Sequence, residues 1–203
     1  MTVILDRGHG INTPGKGSPW SLYGVEPKLE FKEWRYCDRL VDAIATELKK
    51  RGLKVVKTTD GEYDTPLSTR VAKANEIYLS DKMSFLVSVH VNAFGDGRNW
   101  NSPNYWSVWT SKGQTKSDKI ADSIHSAAQN ILLGKNIKSE RSDGDADFES
   151  DFYILKRTLC PAVLTENFFQ TNKENVEYLL SDKGFSDLVN VHVSGIMNYI
   201  NYL

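Results

Sequence analysis

A histidine held between two glycines is the first residue whose type and setting point to chemistry. His9 follows the apolar run Val3-Ile4-Leu5, in the segment Asp6–Gly10. The run predicts a buried strand, and the glycines predict a tight turn that presents the imidazole at the end of that strand. Asp6 carries a carboxylate that can accept the second ring N–H of His9 and fix its tautomer. Alone, the pattern also fits an ordinary surface turn.

Polar side chains also end two later strands. His90 lies near the end of an apolar strand predicted from Ser84 to Asn92, and Glu166 follows the apolar run 162–165. Ligands of parallel α/β sheets bind at the carboxyl ends of the strands. Asn92 lies two residues beyond His90, so it points to the same side in an extended strand. Two histidines and a carboxylate at one sheet edge form the ligand set of an open zinc site.

The carboxylate that completes such a ligand set is sought near the first predicted helix. Glu33 lies four residues before Cys37 and seven before Leu40, so it extends the apolar stripe of that helix toward the sheet. A carboxylate on an inward face is costly unless it is paired or binds a cation. Glu33 is therefore the favoured carboxylate ligand, and Glu30, on nearly the same face of the helix, is the second choice. The remaining candidate, Glu26, precedes a proline in the loop before the helix.

Glu166 has two interpretations. Both faces of its strand are apolar and covered, so a carboxylate at its end is either paired or functional. One interpretation is a salt bridge to Arg157 or Arg141. The other is a general base beside a metal-bound water.

Alternating strand and helix patterns position these residues. The alternation is typical of an α/β fold with a largely parallel sheet of about six strands flanked by helices. A long loop is expected over 11–29, and the segment 137–149 is polar and acidic. The predicted strands are 3–6, 53–58, 84–92, 105–110, 152–155 and 162–166, and the predicted helices are 31–51, 67–79, 117–133, 175–180 and 184–202.

Composition narrows the class of protein. A chain of 203 residues with 40% apolar and 25% charged residues suits one globular domain, here 1–203. The net charge of -1 gives no reason to expect nucleic acid as a partner. The first residues lack the pattern of a signal peptide, and no apolar run approaches the ~20 residues of a membrane span. We therefore expect synthesis in the cytoplasm, no integral membrane segment, and a monomer.

Five motifs in order resemble the zinc-dependent N-acetylmuramoyl-L-alanine amidases, the cell-wall hydrolases of phage lysins and bacterial autolysins. In that family a glutamate begins the first helix, about nineteen residues before a Gly-x-x-Val motif. The motif begins at Gly52 in this chain, and counting back nineteen residues leads to Glu33. Arg7 stands where the family has proline, which leaves open whether Arg7 faces the substrate. The other four matching segments are Asp6–Gly10, Leu67–Asn75, Ser88–Asn92 and Pro161–Asn172.

The resemblance implies a three-layer, phosphorylase/hydrolase-like fold and a zinc hydrolase. It implies that His9, Glu33 and His90 hold Zn²⁺ and that Glu166 takes a proton from the attacking water. The implied substrate is peptidoglycan, cut between N-acetylmuramic acid and L-alanine. Asn92 and Arg141 are the expected substrate contacts.

Two other functions fit parts of this pattern. One is a zinc peptidase of the same fold that cuts another amide bond, and the other is a non-catalytic wall-binding module. Because no separate wall-binding domain is evident, we expect the catalytic domain to provide its own targeting. The expected biology is a phage or prophage lysin, released to the cell wall through a phage-type pore.

Overall fold

The computed structural model describes residues 1–19, 29–142 and 144–203, so residues 20–28 of the loop expected over 11–29, Glu26 among them, lie outside the described residues. Within them, one six-stranded sheet has the strand order β2-β1-β3-β6-β4-β5. The strands are β1 (Thr2–Arg7), β2 (Lys54–Lys57), β3 (Phe85–Asn92), β4 (Ser107–Thr110), β5 (Phe148–Glu149) and β6 (Ala162–Phe169). The described helices are α1 (Glu33–Lys50), α2 (Leu67–Ser80), α3 (Ser117–Ile131), α4 (Tyr153–Arg157), α5 (Lys173–Leu180) and α6 (Asp182–Tyr202).

The sheet is mixed, as predicted. The pairs β1–β2, β1–β3, β3–β6 and β4–β5 are parallel, whereas β4 runs antiparallel to β6. Because β1, β3 and β6 are parallel neighbours, their carboxyl ends meet at one edge of the sheet. The end of β4 lies at the opposite edge.

Alternation along the strands divides the core into two layers. Val3 and Leu5 belong to the core cluster on the face covered by α1, α3, α5 and α6, whereas Ile4 belongs to the cluster on the face covered by α2 and α4. This is the period of two that a strand buried on both faces requires. The predicted three-layer α/β architecture is confirmed.

One predicted strand is wrong. Residues 152–155 were expected to be a strand, but Tyr153–Arg157 form the short helix α4, and the edge strand is the two-residue β5. The apolar side chains of Ile154 and Leu155 are buried as expected. A short apolar run does not distinguish a strand from one helical turn, and here the turn covers the α2 face of the sheet.

No helix among the described residues combines the length and the apolar character needed to cross a membrane.

Helices α3 and α6 pack closely at a glycine. A Cβ added to Gly195 would lie 2.5 Å from Ile124 Cα and 2.8 Å from Ile124 Cγ1. Because Cα belongs to the backbone, no side-chain rotation can relieve that contact. We expect Gly195→Ala to lower the free energy of unfolding by about 1–3 kcal/mol, despite alanine's higher helix propensity.

Chemical denaturation measures this loss. Asn198→Ala, an exposed substitution on the same helix, is the control and should leave stability unchanged or slightly higher. Equal stabilities for Gly195→Ala and the wild type would show that α3 and α6 are not packed this closely.

Candidate metal centre

His9, Glu33 and His90 meet at the carboxyl edge of the sheet. Each offers one ligand atom, and the three atoms lie within 4.8 Å of one another. Glu33 Oε1 is 3.5 Å from His9 Nε2 and 3.2 Å from His90 Nδ1. The structure therefore brings together the three residues that the sequence analysis selected, and their role as metal ligands stays a prediction.

Three elements place these side chains. His9 follows β1, His90 lies near the end of β3, and Glu33 is the first residue of α1. The backbone N–H of Gly8 donates to the carbonyl of Val89 at 2.9 Å, which ties the turn after β1 to β3. A Cβ at Gly8 would lie 2.7 Å from His90 Nδ1 and 3.0 Å from Glu33 Oε1. Gly8 therefore leaves space between the ligand atoms that a side chain would fill.

Glu33 is held by two donors besides the histidines. The backbone N–H of Val91 donates to Oε1 at 3.1 Å, and Gln170 Nε2 donates to Oε2 at 2.8 Å. Gln170 Nε2 also donates to the carbonyl of Val91 at 3.1 Å. The Glu33 side chain is 2% exposed, whereas those of His9 and His90 are 19% and 18% exposed. Buried hydrogen-bond donors thus fix the Glu33 carboxylate, whereas the two imidazoles are partly exposed.

The charges of the group are mutually stabilised. Burial opposes ionisation of Glu33, but hydrogen bonds and charge interactions with His9 and His90 hold its pKa well below the usual range. Burial alone would lower the pKa of His90, yet Glu33, followed by the charge of Glu166, raises it. The pocket is therefore built around an anionic Glu33.

Glu166 lies beside this group on β6, directly opposite His90. Burial raises its pKa to about 8, an effect that the charge of His90 partly opposes. Its Oε2 atom is buried and has no hydrogen-bond partner among the described residues. No ion pair in the described part of the chain joins Glu166 to Arg157 or Arg141. The first interpretation of Glu166, as one partner of a salt bridge with either arginine, is therefore not supported.

A bulge in β6 separates Glu166 from Gln170. The register with β3 shifts between His90 and Asn92, and Phe168 has a φ of 66°, in the left-handed region. Asn167, inside the bulge, donates from Nδ2 to the His90 carbonyl at 2.9 Å and accepts from Trp106 Nε1 at 2.9 Å. The bulge thus positions both the His90 backbone and the Gln170 side chain.

The predicted hydrogen bond from the His9 ring N–H to Asp6 is wrong. Asp6 accepts from Thr58 Oγ1, from Ser88 Oγ at 2.6 Å and from Arg70 Nη1 at 3.1 Å, and none of its described partners is His9. Alternation is the reason, since Asp6 points to the α2 face of β1, where Arg70 is buried. Arg70 in turn contacts the His9 carbonyl, with Nη2 and the oxygen 3.4 Å apart.

Arg7 points to the opposite face and does not face a substrate. Its side chain is 1% exposed and ion-paired with Asp38 at 3.3 Å. Nε donates to Thr59 Oγ1 at 3.2 Å, and Nη2 donates to the carbonyl of Gly61. The arginine that replaces the family's proline therefore anchors the segment after β2.

Glu30, the second choice for the carboxylate ligand, lies apart from the group. Its side chain is 49% exposed and pairs with Lys32 Nζ at 3.0 Å.

The two predicted substrate contacts lie in different surroundings. Asn92 follows His90 on β3, and its Oδ1 accepts from the Ala93 N–H at 2.8 Å. Arg141 is exposed, and its charge acts on Asp122 and His125 of α3. No described contact joins Arg141 to the His9–Glu33–His90 group, and both assignments stay predictions.

A cleft of about 360 Å³ opens from the two histidines. Its other lining residues belong to the start of α2 and the segment before it, namely Asp64, Thr65, Pro66, Leu67 and Arg70. The arrangement combines a half-open set of nitrogen and oxygen ligands, a buried carboxyl group with a free oxygen, and an adjacent cleft. This combination suits metal-assisted hydrolysis.

Comparisons with known proteins agree with this chemistry. A family described as N-acetylmuramoyl-L-alanine amidase matches residues 3–198. An endolysin of Bacillus phage SPP1 is 30% identical over 200 residues, covering 98% of this chain and 66% of that protein.

Solved structures share the fold. An N-acetylmuramoyl-L-alanine amidase from Clostridium difficile 630 has a TM-score of 0.79 at 23% identity, with 98% of this chain and 96% of that chain covered. An amidase of the same name from Nostoc punctiforme has a TM-score of 0.77 at 23% identity, with 99% and 97% covered.

Gln170 was not singled out by the sequence analysis, and its contact with Glu33 gives a test of the centre. Removal of the amide in Gln170→Ala deprives a buried carboxylate of a hydrogen bond that fixes its orientation. We expect metal affinity to fall by about 10–100-fold, the usual effect of losing such a supporting contact. Competition with a chromophoric zinc chelator measures the affinity.

The matched control is Gln129→Ala, an exposed substitution on α3, which should bind as the wild type does. Wild-type affinity in a folded Gln170→Ala variant would contradict the proposed support of Glu33.

Proposed function

Because the chain belongs to the N-acetylmuramoyl-L-alanine amidase family, we propose that it cleaves peptidoglycan in a zinc-dependent reaction. The proposed bond is the amide between the lactyl group of N-acetylmuramic acid and L-alanine. The observation that carries the proposal is the convergence of His9, Glu33 and His90 beside the buried, unpartnered oxygen of Glu166.

The residues present fit a zinc ion. Two imidazole nitrogens and one carboxylate oxygen are a donor set that catalytic zinc sites use, with a further position left open. Gly8 keeps the space between these atoms free of a side chain. The low pKa of Glu33 keeps that ligand anionic at neutral pH. We infer that His9, Glu33 and His90 hold the ion, which when bound polarises a carbonyl and lowers the pKa of water from ~15.7 toward ~7.

Glu166 is the proposed general base. It lies opposite His90, so it reaches the same side of the site as the ligands. Its raised pKa makes it a stronger base than an ordinary carboxylate, and a bound cation would favour its ionised form. Oε2 is free to accept a proton from the attacking water and pass it to the leaving amide nitrogen. Such proton transfer contributes roughly 10²–10⁴-fold to a rate.

The other residues hold the geometry. Gln170 and the Val91 N–H orient Glu33, and Asn167 holds the carbonyl of His90. The cleft beside His9 is the proposed entry for the stem peptide, with Asn92 as a proposed contact. Arg141 is retained as a proposed contact with a more distant part of the substrate.

A phage or prophage lysin is the proposed biological setting, supported by the similarity to the phage endolysin. The enzyme would act on the cell wall after release through a phage-type pore. A single catalytic domain over residues 1–203 completes the proposal.

Metal content distinguishes the two glutamates near the first helix. Glu33→Ala should lose bound zinc because a ligand is removed, whereas Glu30→Ala should keep it because Glu30 is exposed and paired with Lys32. Elemental analysis of both variants, purified in parallel with the wild type, gives the zinc per chain. Zinc retained in Glu33→Ala and lost in Glu30→Ala would reverse the assignment.

Glu166→Gln isolates the proton transfer. The amide keeps the size of the side chain but cannot take a proton from water, so kcat should fall about 10²–10⁴-fold while zinc content is unchanged. Glu174→Gln, an exposed substitution on α5, is the control and should retain full activity. The assay follows new L-alanine amino termini released from purified peptidoglycan.

Two results of that assay would count against the proposal. Unchanged wall hydrolysis by zinc-loaded Glu166→Gln would exclude Glu166 as the base. Release of free D-amino acids by the wild type, with the muramic acid linkage intact, would identify a peptidase instead.

A further inference from the structure

Three aspartates form a second cluster at the other edge of the sheet. The aspartate cluster consists of Asp118, Asp145 and Asp147, whose ligand oxygens lie within 4.8 Å of one another. Asp118 is in the first turn of α3, and the other two lie in the acidic segment that leads into β5. Ser117 Oγ accepts from the N–H of Ala162, the first residue of β6, at 3.0 Å. The cluster therefore lies near the amino end of β6, away from Glu166.

The cluster is buried. Asp118, Asp145 and Asp147 are 7%, 8% and 1% exposed. The Oδ1 atoms of Asp145 and Asp147 are both buried and lack a hydrogen-bond partner among the described residues. Asp145 and Asp147 lie close together, since the ligand oxygens of the cluster are within 4.8 Å of one another. The cluster thus contains two buried carboxylate oxygens to which no described group donates a hydrogen bond.

The contacts of the remaining oxygens are with neutral groups. Thr110 Oγ1 donates to Asp147 Oδ2 at 2.5 Å, and Gln114 Nε2 donates to Asp145 Oδ2 at 3.0 Å. The backbone N–H and hydroxyl of Thr115 donate to Asp118 at 2.6 and 3.0 Å. In the described part of the chain, no lysine or arginine forms an ion pair with the cluster. None of the described cations is therefore paired with the carboxylates of the cluster.

Buried carboxylates without a counter-charge are costly, so the cluster must take up either a proton or a cation. Burial, reinforced by the charge of Asp145, raises the pKa of Asp147 to about 7. An extra proton would thus be held weakly at neutral pH, and a divalent cation would displace it.

We propose that the aspartate cluster binds a calcium ion. All of the available ligand atoms are oxygens, which hard divalent cations prefer, and the donor set lacks the nitrogen or sulfur that zinc favours. Oxygens bound to one Ca²⁺ at about 2.3–2.6 Å lie up to about 5 Å apart, which accommodates the spread of this cluster. Mg²⁺ requires about 2.0–2.1 Å and retains its waters, so a buried site of three carboxylates suits it less well.

The proposed ion would join three parts of the chain. Asp118 belongs to α3, Thr110 ends β4, and Asp145 and Asp147 belong to the acidic segment before β5. That segment contributes few core residues, with Ala146 buried between the two aspartates. Calcium would therefore stabilise the edge of the sheet without contact with the proposed zinc site.

Calorimetric titration of the full chain with CaCl₂ tests the proposal. Zinc is kept constant throughout, so the two sites are separated. The wild type should bind one Ca²⁺ per chain, and its Tm should rise by about 5–10 °C at a Ca²⁺ concentration 100-fold above Kd. Asp147→Asn should lose both effects. Asp145→Asn is a second variant should Asp147→Asn not fold.

The matched control is Asp151→Asn, which removes a nearby exposed carboxylate outside the cluster and should respond to Ca²⁺ as the wild type does. The proposal is overturned if millimolar Ca²⁺ produces neither binding heat nor a Tm shift in the wild type. It is also overturned if Asp145→Asn and Asp147→Asn bind Ca²⁺ as tightly as the wild type. A higher Tm in Asp147→Asn that is independent of Ca²⁺, with an unresponsive wild type, would identify a shared proton.

Discussion

The geometry of the proposed active site depends on one buried ion pair, between Arg70 and Asp6. The guanidinium of Arg70 is 2% exposed and reaches Asp6, Asp64 and the carbonyls of Arg7, His9 and Thr65. Asp6 continues the connection to β3 through Ser88. A buried ion pair adds little net stability compared with apolar packing, but removal of one partner leaves a buried charge and costs about 3–5 kcal/mol. The pair therefore fixes the relative positions of β1, β3 and α2.

The turn at His9 is part of that constraint. His9 has a φ of 60°, which is uncommon for a residue with a side chain. Contacts of the surrounding backbone with Arg70 and Val89 support this conformation. The carboxyl groups of Glu33 and Glu166 at this site differ in their ionisation, because Glu33 is surrounded by imidazoles and Glu166 by apolar strands. Glu33 has a lowered pKa and Glu166 a raised one, which fits the proposed role of Glu33 in binding a cation and that of Glu166 in moving a proton.

Much of this edge was predictable because strong local patterns determine it. The apolar runs of β1 and β3 predict parallel buried strands, and the strand ends place His9 and His90 together. The periodicity of α1 predicts the inward direction of Glu33. The sequence offered no such signal for Gln170, because a register shift in β6 directs it toward Glu33. It also gave the wrong partner for Asp6, since proximity along the chain to His9 does not reveal a buried arginine on α2.

Phe168 links the site to the helix behind it. Its backbone is left-handed, at a cost of about 1–3 kcal/mol, while its ring is fully buried and lies 5.6 Å from that of Tyr178 on α5. Glycine would relieve the backbone but leave a cavity, and a change at Tyr178 would alter the size of that cavity. We therefore expect the effects of substitutions at the two positions to be non-additive. A homologue with glycine in this bulge should fill the space of the phenyl ring with another side chain, so we expect the bulge and α5 to evolve together.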